Sequence, residues 1–396
     1  MRRLLPILAL AAMASVVVAI SAIGGVAYNS DALFYEAQVE EIGGASQAES
    51  LDEWFNGPEA REAARREDRP EDVVRVLAPN WPEYADQFYR RRWVVQEIGA
   101  VADAAVPEHD RLLVASWLGY LLIGPLLFLL LRVRFSELAS FVVAAACILL
   151  PPVIEHSTLR GVDSWGLALT IASLLFLALA VTRGLRWLPA FVVAIALLSI
   201  TRDNTLVPLA AVFWLVWVAR RDRPALARYV PLAGAGLLAA IPALILGGAP
   251  IREQLAWVLN NFEIPEDSSW GWVLPRMPEA LAKNAYYDLR YVTEHAFTPF
   301  VIPLLVLMLA ALGAAAWWLV FRTPREDPYF RMMRASLVGG LVLVALAASY
   351  QAFRIEIVMV PALAVGAAHW LDARVAARRA AAQQRRQALR PVSSPA

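Results

Sequence analysis

Asp31 stands in the stretch Asn29-Ser30-Asp31-Ala32-Leu33-Phe34-Tyr35, a few residues past the end of the first long apolar run. A carboxylate held just outside a membrane, at the head of a large loop, is suited to act as a base on a lipid-borne substrate. A base is half of a site. Other charged and polar groups fall at the same ends of the apolar runs: Tyr35, then Arg90, Arg91 and Arg92, then Glu155, His156, Arg160 and Asp163, then Arg202 and Asp203, and finally Arg354 and Glu356. Charges near a hydrocarbon boundary are costly unless they line a cavity or pair with one another, so their gathering at one surface points to a functional site. Taken singly, each has an ordinary explanation. Arg202 and Asp203 make a satisfied linker pair, Arg354 snorkels, Arg90 to Arg92 form a solvated face, and a histidine such as His156 is more often structural than catalytic.

The elements that must carry these groups are set by composition. Hydrophobic residues make up 59% of the chain and the mean hydropathy is +0.52. Several apolar runs approach the ~20 residues that cross a ~30 Å hydrocarbon core, which predicts an all-α polytopic membrane protein. Ten spans are expected: Leu4–Ala27, Leu112–Leu131, Leu138–Ile154, Trp165–Val181, Leu188–Ile200, Leu206–Ala219, Tyr229–Gly248, Phe297–Phe321, Ala335–Tyr350 and Ile355–Leu371. The fifth and sixth are short and flank Thr201-Arg202-Asp203-Asn204-Thr205. Non-helical backbone at that depth is tolerated only under cover of protein or beside a wet cavity, so this linker is a candidate wall of the site. Cys147, alone in an apolar run, excludes an internal disulfide and a multi-cysteine metal centre and reads as a packing residue.

Short cytoplasmic loops carry the positive excess of a membrane protein. With Arg2-Arg3 inside, the ten-span count also places Arg132 and Arg134, Arg183 and Arg186, Arg220 to Arg223, Arg322 to Arg334 and the basic tail 372–396 inside. The expectation is therefore a multi-pass protein of the cell (cytoplasmic) membrane with both termini cytoplasmic and a single transmembrane domain over 1–371. A cleaved leader ending near Gly25-Val26-Ala27 is the competing reading, but the apolar run exceeds the ~7–15 residues usual for such a segment.

Two outer loops, 28–111 and 249–296, are too large to be turns. The apolar residues Leu33, Phe34, Ala37, Val39 and Ile42 predict an amphipathic helix lying on the membrane interface, ended by Gly43-Gly44. In the second loop Trp257, Trp270, Trp272, Tyr286, Tyr287 and Tyr291 stand among polar residues, which suits the headgroup zone better than sugar stacking.

Asp31 in an Asp-x-x-x-Tyr setting, a long first outer loop, a Tyr-Arg approach to the second span, Thr-Arg-Asp between paired short spans and a late Arg before the last span together resemble the GT-C glycosyltransferases. The resemblance is to bacterial members that use polyprenyl-phosphate sugars, such as mannosyl, arabinosyl and lipopolysaccharide-core sugar transferases, and it covers the architecture of most of the chain. It implies transfer of a sugar, with inversion, from a lipid-linked donor to a glycan, lipid or protein acceptor on the outer face. Asp31 would be the catalytic base. Arg202 and Arg354, with Arg90, Arg92 and Arg160 behind them, would bind the donor phosphate, since guanidinium stays charged and grips phosphate bidentately. Tyr35, His156, Asp163 and Asp203 would line the pocket. Many family members carry two adjacent acids in the first loop, whereas Ser30 precedes Asp31 here.

No glycine-rich nucleotide loop and no His/Cys metal spacing stands in a suitable setting, which leaves soluble nucleotides and structural zinc unsupported, and nothing points to nucleic acid. A divalent cation on Asp31, Asp163 or Asp203 stays open. Two other classes compete: a transporter or flippase with a midplane site, and a non-catalytic assembly protein of the same fold.

Overall fold

The computed structural model describes residues 4–24, 30–66, 81–90, 92–107, 110–242, 251–260, 264–294, 301–346, 354 and 356–388. Arg91, the Gly25-Val26-Ala27 stretch and the ends of several expected spans lie outside the described residues. Among the described residues all regular structure is helical. The chain opens with α1 (Leu5–Gly24), followed by a run of short helices: α2 (Ser30–Gly43), α3 (Gln47–Asn56), α4 (Pro58–Arg66), α5 (Trp81–Asp86) and α6 (Trp93–Ala102). Then come α7 (Arg111–Arg132), α8 (Glu137–Ile148), α9 (Pro151–Thr158), α10 (Asp163–Arg183), α11 (Leu188–Ser199), α12 (Leu206–Val218) and α13 (Arg223–Ala240). A second group of short helices, α14 (Ile251–Leu259), α15 (Trp270–Val273) and α16 (Met277–Glu294), precedes α17 (Val301–Phe321), α18 (Pro328–Leu346) and α19 (Val360–Ala388).

Every expected apolar run is mainly helical over its described part, with a break at Leu149–Leu150 in the third, and length separates them. α1, α7, α10 and the helical stretch Glu356–Gln384 are long and apolar enough to cross a membrane. α8 and α9 would together make a fifth span, bent by 61° where Pro151 opens α9. α11 and α12, with 12 and 13 residues, rise only ~18–20 Å each. The chain is thus a helical protein with apolar helices suited to a membrane, and the number of spans beyond these is not fixed by helix length.

Packing divides the interior into two apolar cores. One fills the bundle, with Tyr120, Ile123, Leu127, Leu167, Ile171, Leu174, Phe191 and Tyr329 fully buried. Close approach is enabled by small residues: a Cβ added to Gly366 of α19 would fall 2.1 Å from the carbonyl oxygen of Ala315 in α17. The other core forms a cap from α2 to α6 together with α14 and α15, and Phe88 stacks on Trp257 at 4.8 Å to join the two long loops.

Here the structure corrects an expectation. α2 does not lie on an interface, because its apolar residues from Ala32 to Val39 are buried and so are its polar ones, Glu36 and Gln38. Each polar side chain finds a partner inside the cap, which is what makes burial of a mixed helix tolerable. Gln38 donates to Asp86 (3.0 Å) and accepts from Gln96 (2.9 Å). Arg111, at the head of α7, pairs with Glu36 (2.8 Å), Asp103 (3.1 Å) and Glu40 while its guanidinium lies 5.9 Å from the Trp54 ring. α2 ends as expected at Gly43, with Gly44 at φ 106°, a left-handed conformation that glycine adopts without strain.

Candidate functional site

Four chain segments converge at the cap end of the bundle. Asp31 lies in the first turn of α2 and Asp163 opens α10, positions where a carboxylate is favoured by the helix dipole. Arg202 precedes a short turn of 3-10 helix, Asp203–Thr205, between α11 and α12, and Arg354 precedes another, Glu356–Met359, that leads into α19. The Asp163 end of α10 is pinned to α7: the Gly161 N–H donates to Ser116 Oγ (3.1 Å) and Trp165 Nε1 donates to the Ala115 carbonyl (2.7 Å).

The charged groups form one chain of contacts. Arg354 bridges the two acids, with Nη2 2.6 Å from Asp31 Oδ2 and Nε donating to Asp163 Oδ2 at 2.9 Å. Asp163 pairs in turn with Arg202 through its other oxygen. At the far end, the Tyr89 hydroxyl donates to Asp31 Oδ1 at 2.7 Å. Arg92 donates to the Tyr35 hydroxyl and lies 5.0 Å from the centroid of the Tyr89 ring. Among the described residues Arg92 makes no ion pair, and its buried Nε has no hydrogen-bond partner.

Electrostatics follow from this arrangement. Burial by itself would raise the Asp31 carboxyl, but Arg354, Arg92 and the hydrogen bonds from Tyr89 and Arg354 outweigh it and hold the pKa at about 2. The Tyr89 hydroxyl moves the opposite way, pushed well above its usual value by burial and by Asp31, so it stays a donor. Arg202 is pulled below its usual range by burial and by the neighbouring guanidiniums of Arg354 and Arg92, with Asp163 opposing. Three guanidiniums stand against two carboxylates here, and Arg92 has open donor capacity, so the place suits an anion.

The remaining expected residues sort around this centre. Tyr35 is fully buried and bonded to Arg92, His156 is buried within electrostatic reach of Asp163, and Asp203 is half-buried within reach of Arg92. Arg160 is buried and faces Asp110 at 3.8 Å. Arg90 is drawn elsewhere: it pairs with Asp86 (2.6 Å) and Glu41 (3.2 Å) in the cap. Among the described residues no group of three or more His, Cys, Asp or Glu is arranged to hold a metal ion, and the space between Asp31 and Asp163 is taken by the Arg354 guanidinium.

Two positions at this centre were missed in the sequence. Tyr89 is one. Gly166, one turn beyond Asp163, is the other, because a Cβ there would fall 2.9 Å from Arg202 Cδ and 3.2 Å from Asn204 Nδ2. The arginine stem crosses α10 where a side chain is lacking. A glycine three residues after an acid at a helix start was the available signal.

No protein-family model and no curated protein matches this chain.

Proposed function

We propose that the protein is an inverting GT-C-type glycosyltransferase that moves a sugar from a polyprenyl-phosphate donor to an acceptor hydroxyl. In this reading the ten apolar helices all lie in the cell membrane, both termini are cytoplasmic, and the cap faces the outer side. The observation that carries it is the Asp31–Arg354–Asp163–Arg202 chain, a buried carboxylate joined to guanidiniums that suit a phosphate, with Arg92 beside it. In the reaction the acceptor oxygen bonds to the anomeric carbon as the bond from that carbon to the phosphate oxygen breaks. The acceptor proton passes to Asp31, and polyprenyl phosphate leaves against Arg354, Arg202 and Arg92.

Arg354, Arg92 and Tyr89 hold the Asp31 carboxyl well below the ordinary carboxylate range, which favours its charged form. A donor phosphate competes for Arg354, weakening its hold on Asp31 and raising the carboxylate's affinity for a proton. The base thus becomes effective when the leaving group is in place. A closed network of this kind would also serve as a purely structural clasp, so the deciding experiment compares wild type and Asp31→Asn. Membranes with equal amounts of each are given the sugar-labelled polyprenyl-phosphate fraction extracted from the host cell. Transfer by wild type with loss in the variant is expected, and equal transfer by both sinks the proposal.

A further inference from the structure

Asp31 uses both carboxylate oxygens, Oδ1 for the Tyr89 hydroxyl (2.7 Å) and Oδ2 for Arg354 (2.6 Å). An acceptor hydroxyl needs one of them. The two partners differ in freedom to yield. Arg354 has an alternative partner when a phosphate arrives, and its Nε anchorage to Asp163 (2.9 Å) lets the Nη2 end turn without the side chain leaving the site. Tyr89 is clamped: its ring stacks on Phe34 at 4.4 Å and 8°, meets the edge of Tyr35 at 5.5 Å, and lies near the Arg92 guanidinium. It is 7% exposed, and its hydroxyl has the one partner, Asp31, among the described residues.

Resting on the transferase reading above, we infer that Tyr89 is a positioning residue that fixes Asp31 through Oδ1, so that Oδ2, uncovered when Arg354 turns to the donor phosphate, is the atom that receives the acceptor proton. Tyr89 does not touch the reacting atoms. It sets the angle of the carboxylate by donating to Oδ1. A residue of the cap thereby fixes which carboxylate oxygen reacts.

The test is Tyr89→Phe, which keeps the ring in its clamp and removes the hydroxyl alone. Transfer is measured with the sugar-labelled polyprenyl-phosphate fraction, varying donor concentration and pH across the range in which the protein stays folded. The expected result is a kcat lower by about 10-fold to 100-fold, the effect of a base no longer held at the reacting angle. The KM for donor should be unchanged and the acid limb of kcat should move to higher pH, since the charged form of Asp31 has lost a donor. Incorporation of 2,3-difluorotyrosine at position 89 makes the hydroxyl a stronger donor and should move the limb the opposite way. It also covers the case in which Tyr89→Phe fails to fold. A wild-type kcat and pH profile in Tyr89→Phe, no displacement of the limb by the fluorinated residue, or a raised donor KM with kcat intact would each overturn the inference. If Asp31→Asn is inactive while Tyr89→Phe behaves as wild type, only the role of Tyr89 falls. If Asp31→Asn transfers as well as wild type, the base itself is misassigned.

Discussion

The two ends of the helical bundle use arginine in opposite ways. At the cap end Arg354, Arg92, Arg160 and Arg111 are all buried, and Arg111 alone engages three carboxylates. At the other end Arg220 lies 4.2 Å over Trp217, Arg322 5.1 Å over Trp317 and Arg374 5.6 Å over Trp370, each on an exposed indole. Arg334 there donates to the backbone carbonyls of Leu319, Thr323 and Pro324. A guanidinium that water or a headgroup can reach needs little from the protein, whereas a buried one destabilises the fold as soon as its counter-charge is removed. The same residue type is therefore replaceable at one end and interdependent at the other.

That contrast can be broken or sharpened by substitution. The largest effect expected is on turnover: Asp31→Asn should lower sugar transfer by ~10²–10⁴-fold while the protein still inserts and folds, because the amide keeps the shape but cannot take the proton. Next comes stability. Asp163→Ala strips Arg202 of its counter-charge and Arg354 of one of its two, and thermal unfolding in detergent should report a loss of ~3–5 kcal/mol. An unchanged midpoint would mean that the cap-end arginines are as self-sufficient as the others.

Acid should act at the cap end in a defined window. The Asp31 carboxyl lies below its ordinary value of 3.8 at about 2, so its contribution is complete above 3.8 and is lost as pH falls through about 2. The amount is about 2 kcal/mol. Thermal midpoints of wild type should fall across that interval while those of Asp31→Asn stay flatter, and parallel curves would contradict the pairing. Gly166→Ala should be milder for the fold, ~1–3 kcal/mol from crowding, yet it should raise the donor KM severalfold by pushing Arg202 aside. Smallest of all, Arg220→Ala at the far end should shift the midpoint by ~0.5–1 kcal/mol at most, the value of an exposed cation over a ring.

Much of this arrangement was legible from residue order. Apolar runs announced the helices, and Gly43-Gly44 announced the stop of α2. Asp31, Asp163, Arg202 and Arg354, picked out because they end separate apolar runs, meet in one contact chain. What could not be read is equally specific. The alternation of α2 looked interfacial because a sequence does not reveal that Glu36 will meet Arg111, or Gln38 meet Asp86. Arg90 and Arg92 are neighbours in a run of three like residues, and only the turn after α5 sends one to Asp86 and the other to Tyr35. Tyr89 was one aromatic among many near a loop. Its partner lies 58 residues away, a distance no local pattern encodes. The shortness of the fifth and sixth runs was legible as well, since α11 and α12 have 12 and 13 residues.

Arg111 has a consequence for how this chain can drift over generations. Its guanidinium is the junction of Glu36, Glu40 and Asp103, with Trp54 over it, so a neutral replacement of Arg111 leaves the fully buried Glu36 stranded in the cap. Viable descendants should change these columns as a block, trading the whole polar knot for an apolar plug or keeping it entire. An alignment of relatives would then show Arg111 and its acids rising and falling together, while the tryptophan-capped arginines of the opposite end vary one at a time.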